Sequence, residues 1–542
     1  MLFSHGLDQV KLQLVESYQE HLDRILGNEG YGAANRKLEE DVWTAVLEIG
    51  QLLMGAALSL ACERATEKDI RARGLTDKQF RLRNDKDYTR TMMTTLGPVT
   101  FLSFAYRDLS NDAMSVTRTP ARDQVFPLLG SCRSSELNLE WEAKLGQEMP
   151  FRRAEKALAF FTHGAVSLHD TTIESHMVTL SRMIERQWFY QTPETIAEVL
   201  QHRATRDLKT GLPLIYLSTD AHALRQFVDE TWDARWKMAN GLRLWCIDRH
   251  NGAIIHLGGE YTWGDCHRVG EIVDWLIDTG RLPADGNYGD GLVATVVLPT
   301  DGMPWITDYV IEKFSSDAVA ILDAHHAVKH LRDYAAARFG GNSPKAKEFC
   351  QHAFWLLFGK PLAKQSKPRK RRTGAGSRKH AEKRPRSTRR ILAWQAYELA
   401  PSSIEVLITQ LLQDDNVPPE ATHTHFNLID YLENNAHRMD YLVYRSRGYQ
   451  IGSGAMESLH RSGSQVRLKL PGLKSLPETS QAIFNLRMMD LCGRWDEFFQ
   501  QEDLPLQLLR AFDPGRADDK QASVTTLRTT SGQQEETMAQ AA

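Results

Sequence analysis

The chain has 542 residues, 42% hydrophobic and 25% charged, with a formal net charge of −3. That length exceeds a single core, so two to four domains are expected, and the composition is that of a globular protein rather than a disordered or fibrous one. Six cysteines, at positions 62, 132, 246, 266, 350 and 492, form no C-x-x-C pair, which argues against a structural zinc site and against a disulfide framework and fits a reducing cytoplasm. Residues 1–95 read as helical: "LEEDVWTAVLEIGQLLMGAALSLACERATEKDI" spaces its apolar residues by three and four and lacks proline. Its most apolar run, "IGQLLMGAALSLA", is shorter than a membrane span, and the N-terminus has no basic segment leading into an apolar one. A cytoplasmic protein without a membrane partner is expected. The alternation in "GPVTFLSFAYRD" predicts a short strand or hairpin. Helix returns over 133–195, broken before "HGAVSLHDTTIESHM", where Ser167 or Asp170 can cap a new helix. Both a helix-turn-helix and an ordinary helical bundle satisfy that pattern.

From about 211 the pattern changes. "LPLIYLSTD" reads as a strand ending in Asp220, and "RLWCIDRHNGAIIHLGGEY" as two strands joined by the turn "RHNG". "RVGEIVDWLIDTG" is a helix with a glycine stop. "GLVATVVLPTDG" is a buried strand ending in Asp301, "WITDYVIEKF" a helix, and "DAVAILDAHHAVKHLRDYAAARF" a strand entering a helix at Asp323. The order is three strands, helix, strand, helix, strand, helix, the signature of a mixed sheet with helices packed on it. Residues 340–450 read as helical around a basic stretch, 364–390, that carries 13 Lys or Arg against one Glu. The remainder of the chain is therefore markedly acidic. Helix follows from 452 to about 500, and the polar tail 511–542 reads as disordered.

Three acids stand out. Asp220 and Asp301 each follow a strand, and functional groups gather where strands open into loops. Two carboxylates sharing a cleft repel one another unless a cation bridges them, and hard oxygen donors suit Mg2+ or Mn2+. Either aspartate alone equally suits a turn, since Thr-Asp-Gly is a common turn tripeptide. The third acid, Glu457, heads a helix in "GYQIGSGAMESLHRSGSQVRLKL". The cations behind it, Arg461, Arg467, Lys469 and Lys474, read either as phosphate contacts or as a solvated helix face.

The motifs "LSTDA", "LPTDGMPWI", "ILDAHHAVKHL" and "YQIGSGAMESLHR…RLKLPGLK" together resemble bacterial insertion-sequence transposases of the DDE type, most closely the Kra group, distantly akin to Mutator-like transposases. The resemblance implies a multidomain α and α/β protein: a helical N-terminal DNA-binding region and an RNase H-like mixed-sheet catalytic core with an all-helical insertion. On this sequence it implies helical residues 1–95, and short strands with a helix-turn-helix-like DNA-binding region over 96–205. It places the first part of the core at 206–339, the insertion at 340–450, and the glutamate helix with the C-terminal helices at 451–510. It implies Asp220, Asp301 and Glu457 as catalytic and metal-binding acids for two Mg2+ (or Mn2+) ions, with Asp323 and His326 as a supporting D-x-x-H element. The activity implied is strand cleavage and 3′-OH strand transfer at element ends, in a nucleoid-associated homodimer or higher oligomer that engages transposon ends and target DNA. Arg461, Arg467, Lys469, Lys474 and, in the basic stretch, Arg369, Lys370, Arg371 and Arg372 are then DNA contacts. Three departures from the family pattern are Ala221, where glycine usually follows the first aspartate, the segment "RDLSNDAMSVTRTPARDQVFPLL", which lacks the usual cysteine, and Ser475, where tryptophan is usual.

Two further readings compete. His326 and His330, at i and i+4 on one helix face, with Asp301 and Asp323, suit a metallohydrolase. A non-catalytic DNA-binding protein derived from a transposase is the third.

Overall fold

The computed structural model describes residues 4–27, 35–83, 89–110, 116–128, 132–227, 234–361, 397–398 and 404–514. The basic stretch 364–390, with Arg369, Lys370, Arg371 and Arg372, lies outside the described residues, as does the tail beyond 514. The chain divides into two compact units. One comprises residues 1–185 with 495–542, the other residues 186–494. The boundary thus falls before the 205/206 division read from the sequence, and the segment from Trp495 onward joins the first unit rather than the glutamate helix.

The first unit opens with the helices Ser4–Leu26 and Asn35–Ala72. Five short strands follow: β1 (Phe80–Arg83), β2 (Thr89–Thr94), β3 (Gly97–Leu102), β4 (Ala105–Asp108) and β5 (Val116–Arg118). They form a β2–β3 hairpin and an antiparallel sheet in the order β1-β4-β5. The sequence showed only the middle of this region as strand, because β1 and β5 are too short for alternation to register. Helix Asn35–Ala72 is long and apolar enough to cross a membrane by length and composition, beyond the shorter run read from the sequence. Its Leu58, Cys62 and Ala65 pack in a cluster with Phe101, Ala121 and Phe126. The helices Glu136–Glu148, Phe151–Phe161 and Asp170–Met183 complete the unit with the C-terminal helices Trp495–Phe499 and Leu504–Phe512. Ser135 caps the first of these through the Asn138 amide at 3.2 Å, the expected use of serine at a helix start.

The second unit is built on five strands: β6 (Leu214–Phe227), β7 (Ala234–Ile247), β8 (Ile254–Trp263), β9 (Thr295–Thr300) and β10 (Val319–Leu322). Their order is β10-β9-β6-β7-β8. β6, β7 and β8 form an antiparallel meander, and β9 and β10 run parallel to β6. The parallel strands require crossovers, supplied by the helices His267–Asp278 and Pro304–Tyr309. β9 is buried along its whole length, as a central strand covered on both faces must be.

The helical region after β10 is not a detached insertion. Helices Ala324–Phe339, Pro344–Phe358, Ile404–Leu412 and Pro419–Asn435 share one core with the sheet. Leu331, Leu356, Leu407 and Leu428 cluster with Leu214, Tyr216, Trp245, Val297 and Ile321. A two-residue strand pair, Lys360–Pro361 with Tyr397–Glu398, adds sheet that the sequence did not suggest.

Candidate active site

Strand register brings the first two acids together. β6 pairs with β9 from Leu214↔Thr295 to Tyr216↔Val297. Continued along the strands, that register sets Asp220 opposite Asp301. β9 pairs with β10 up to Thr300↔Leu322. The next position sets Asp301 beside Asp323, whose amide donates to the Thr300 carbonyl at 2.8 Å. Three aspartates from three strands therefore share one row at one edge of the parallel part of the sheet.

Asp220 does not end its strand, as the sequence suggested. β6 runs seven residues further, to Phe227. The β6–β9 pairing stops at Tyr216, whereas pairing with β7 continues to Phe227↔Ala234. Asp220 thus sits where the sheet opens on one side only. The alternation of "TDAHALRQF" continues across the aspartate because the antiparallel partner β7 continues too.

The two carboxylates have opposite electrostatic fates. Burial pushes Asp301 up, and the negative charge of Asp220 adds to that rise against the Met303 amide, His326 and Arg438. The net shift is upward. Burial also pushes Asp220 up, but a bond to His460, its charge, the Ala221 amide and His326 outweigh it and hold that carboxyl below its ordinary range. A pair driven apart in this way is a mark of carboxylates sharing a site. His326 acts on both, which sets the Asp-x-x-His histidine beside the pair.

Asp323 plays a different part. It is fully buried and caps helix Ala324–Phe339 through the His325 amide at 2.9 Å, and its other oxygen accepts from the Ser453 hydroxyl. Ser453 is the N-cap of the helix Gly454–Leu459, which carries Glu457. The Ala324 amide donates to the Ile451 carbonyl at 3.0 Å. The loop before Glu457 is held at two further points. The Gln450 amide donates to the Tyr216 hydroxyl at 3.2 Å, and Tyr449 donates to Asp207 at 2.7 Å. The small residues of "IGSGAMES" answer this docking. A Cβ on Gly452 would stand 3.2 Å from the His325 ring and 3.5 Å from an Asp323 oxygen.

The glutamate helix lies directly on the sheet. Gly241 on β7 is the cross-strand partner of Asp220. A Cβ there would come within 2.4 Å of Met456 and 2.7 Å of Tyr261. A glycine therefore permits the close approach. Arg243, buried two residues on, donates to the Ala455 carbonyl at 2.5 Å. Three residues after Glu457, and so one turn along the same side, His460 reaches Asp220 with Nε2 to Oδ2 at 3.4 Å. Glu457 itself is exposed. Among the described residues no three His, Cys, Asp or Glu side chains are grouped as a ready ion site. The donor set that does converge, two carboxylates with spare oxygens, fits a hard divalent cation, and Glu457 stands on the neighbouring helix as a third carboxylate.

After Leu459 the helix widens into a π-helical segment, His460–Gln465, a device frequent at functional sites. Arg467, read from the sequence as a phosphate contact, is 2% exposed and belongs to the packed interior. Arg461, Lys469 and Lys474 are exposed. Ser475, where tryptophan was looked for, pairs with Gln226 at the end of β6, and its carbonyl accepts from the Phe227 amide at 3.1 Å.

Sequence reasoning missed three residues here. Arg438, 2% exposed, donates to Thr300 Oγ1 at 2.5 Å and to the Asp301 carbonyl at 3.1 Å. Gly241 carries no local signal at all. His460 was visible in "ESLHR", and its spacing from Glu457 was the signal. Compared with known families and with curated proteins, the chain matches no family model and no curated protein.

Proposed function

We propose that this chain is a DNA transposase of the DDE type, a magnesium-dependent polynucleotidyl transferase. The observation that carries the reading is the register that aligns Asp220 with Asp301, with the Glu457 helix laid across β6 and β7 beside them. The strand order β10-β9-β6-β7-β8, with one antiparallel meander and two parallel strands, supports an RNase H-like core. The helical parts of the first unit are proposed as DNA-binding, and pairing of two element ends calls for a homodimer or higher oligomer.

In this reading Asp220, Asp301 and Glu457 would hold the ions. Two divalent ions bound there would supply an activated water and stabilise the leaving 3′ oxygen. The water oxygen bonds to phosphorus as the bond to the 3′ oxygen breaks, and that oxygen leaves as a hydroxyl. The hydroxyl then attacks a target phosphodiester and displaces the target's own 3′ oxygen. The chain's residues orient the partners throughout. His326 sets the charge balance of the aspartate pair, Arg438 braces Asp301 from behind, and Arg461, Lys469 and Lys474 would neutralise phosphates.

The metallohydrolase reading is less well served. Asp323 is fully buried, with both oxygens accepting from protein donors. His330 stacks on Tyr431 with ring centroids 4.0 Å apart. A purely DNA-binding protein leaves the aspartate pair without a use. The test is a joining assay with the full chain, a duplex carrying the element's own end, and Mg2+. Cleavage and joining that vanish in Asp220→Asn, Asp301→Asn and Glu457→Gln, with DNA retained, are expected. Binding without cutting in the unaltered chain would leave the third reading, and stoichiometric zinc lost in His326→Ala the second.

A further inference from the structure

We infer that Tyr261 and His460 form a positioning relay that aims the Asp220 carboxylate at its cation; the inference rests on the ion-binding reading of Asp220 above. The Tyr261 hydroxyl lies 3.0 Å from His460 Nδ1. Tyr261 is 1% exposed and His460 3%, so neither side chain has water as an alternative partner. With Tyr261 O–H donating to Nδ1, the imidazole proton is placed on Nε2. Nε2 faces Asp220 Oδ2 at 3.4 Å. The other oxygen, Oδ1, accepts from the Ala221 amide at 2.8 Å. The carboxylate is thereby gripped at both oxygens, by its own backbone on one side and the imidazole on the other. Each still has a lone pair to give an ion. Outer partners of this kind orient a ligand and raise its affinity for metal.

The surroundings lock the relay. The Tyr261 ring stacks on Phe484 at 4.6 Å, and the Gly463 backbone leaves room for it, since a Cβ there would stand 3.3 Å from the ring. His222, two residues along β6 from Asp220, flanks His460 with ring centroids 4.3 Å apart. It accepts or donates one bond with Ser464 at 2.7 Å. Phenylalanine would keep the ring stack, and the Tyr261 hydroxyl, which also meets Ser464, has His460 Nδ1 as the ring nitrogen it can orient.

The experiment is Mn2+ binding to the full chain without DNA, followed by electron paramagnetic resonance, in Tyr261→Phe, His460→Gln, His460→Ala and Asp220→Asn. Tyr261→Phe keeps the ring stack and removes one oxygen. Its Mn2+ dissociation constant is expected to rise about 10-fold, within the roughly 10- to 100-fold range for loss of an outer-shell partner, at an unchanged melting temperature. His460→Gln, whose amide can still donate to Asp220, should weaken binding less than His460→Ala. If Asp220→Asn releases the ion but Tyr261→Phe and His460→Ala bind it as the unaltered chain does, the relay is wrong and the ion site stands. If Asp220→Asn binds Mn2+ unchanged, the ion-site reading falls, and the relay with it.

Discussion

Each of the two units sets a carboxylate against a histidine, fully buried in the first and half-buried in the second, and the contrast separates an acid saturated by protein donors from one with acceptor capacity to spare. In the first unit Glu142 is fully buried. One oxygen accepts from Ser134 at 2.6 Å and Asn138 at 2.7 Å, and the other meets His176 Nδ1 at 2.7 Å. His176 continues to the Cys132 thiol at 3.7 Å. Three protein partners and complete burial leave this carboxylate closed to a ligand. In the second unit Asp220 accepts one backbone bond, touches His460 at the longer distance of 3.4 Å, and stands beside another carboxylate. Saturation of hydrogen bonds stabilises a fold, whereas spare acceptor capacity next to a like charge costs stability and is kept where a cation is to enter.

Five substitutions and conditions break or sharpen this contrast. Glu142→Ala strands a buried histidine and should destabilise the first unit by about 3–5 kcal/mol, the range for breaking a buried pair, read as a fall in urea midpoint. A loss near zero would show that the pair is not structural. Next, His176 should make the stability of that unit depend on pH. Burial opposes its charge, but the bonds to Cys132 and Glu142 prevail and hold its pKa up at about 10, against 6.5 for the free side chain. A histidine raised on folding contributes stability that is whole below about 6.5 and is lost as pH rises towards 10. The unfolding midpoint should fall across that window and stay flat in His176→Gln.

Gly241→Ala should push Met456 and Tyr261 away from β7 and lower strand transfer about 10- to 100-fold, the order of loss a misplaced site suffers. Anisotropy should show DNA affinity unchanged, and a parallel fall in affinity would point to general unfolding instead. Asp301→Asn should leave stability unchanged or raise it by about 1 kcal/mol, because it removes a buried charge that its neighbour disfavours. A clear drop in melting temperature would mean that Asp301 stabilises the fold. The smallest effect belongs to the surface cations. Lys469→Ala should reduce the slope of log affinity against log salt by about 1, one phosphate contact, and an unchanged slope would return it to the solvated face.

Much of the second unit was legible in the sequence, since strands β7 to β10, the turn after Ile247 and the helix starting beyond Asp323 follow local alternation and capping. The end of β6 was misjudged, because Thr-Asp-Ala looks like a turn unless a partner strand is known to run alongside. Arg467 was grouped with the other cations by its charge and its place behind Glu457, neither of which shows that the side chain is buried. The positions of Asp220, Asp301 and Glu457 along the chain, and their acidity, were open to reading. In the sequence only a likeness of motifs links them, because nothing local ties residue 220 to 301.

The amino-acid sequence alone determined which segments are helix or strand, where the charge is concentrated, and which side chains are able to hold a cation. Those properties arise from contacts within a few residues. Only the tertiary structure decided that Asp323 anchors the Glu457 loop instead of facing a cleft, that Gly241 admits the helix, and that His460 meets Asp220. Each depends on partners far apart along the chain, and only the registers of β6, β7 and β9 bring those partners side by side.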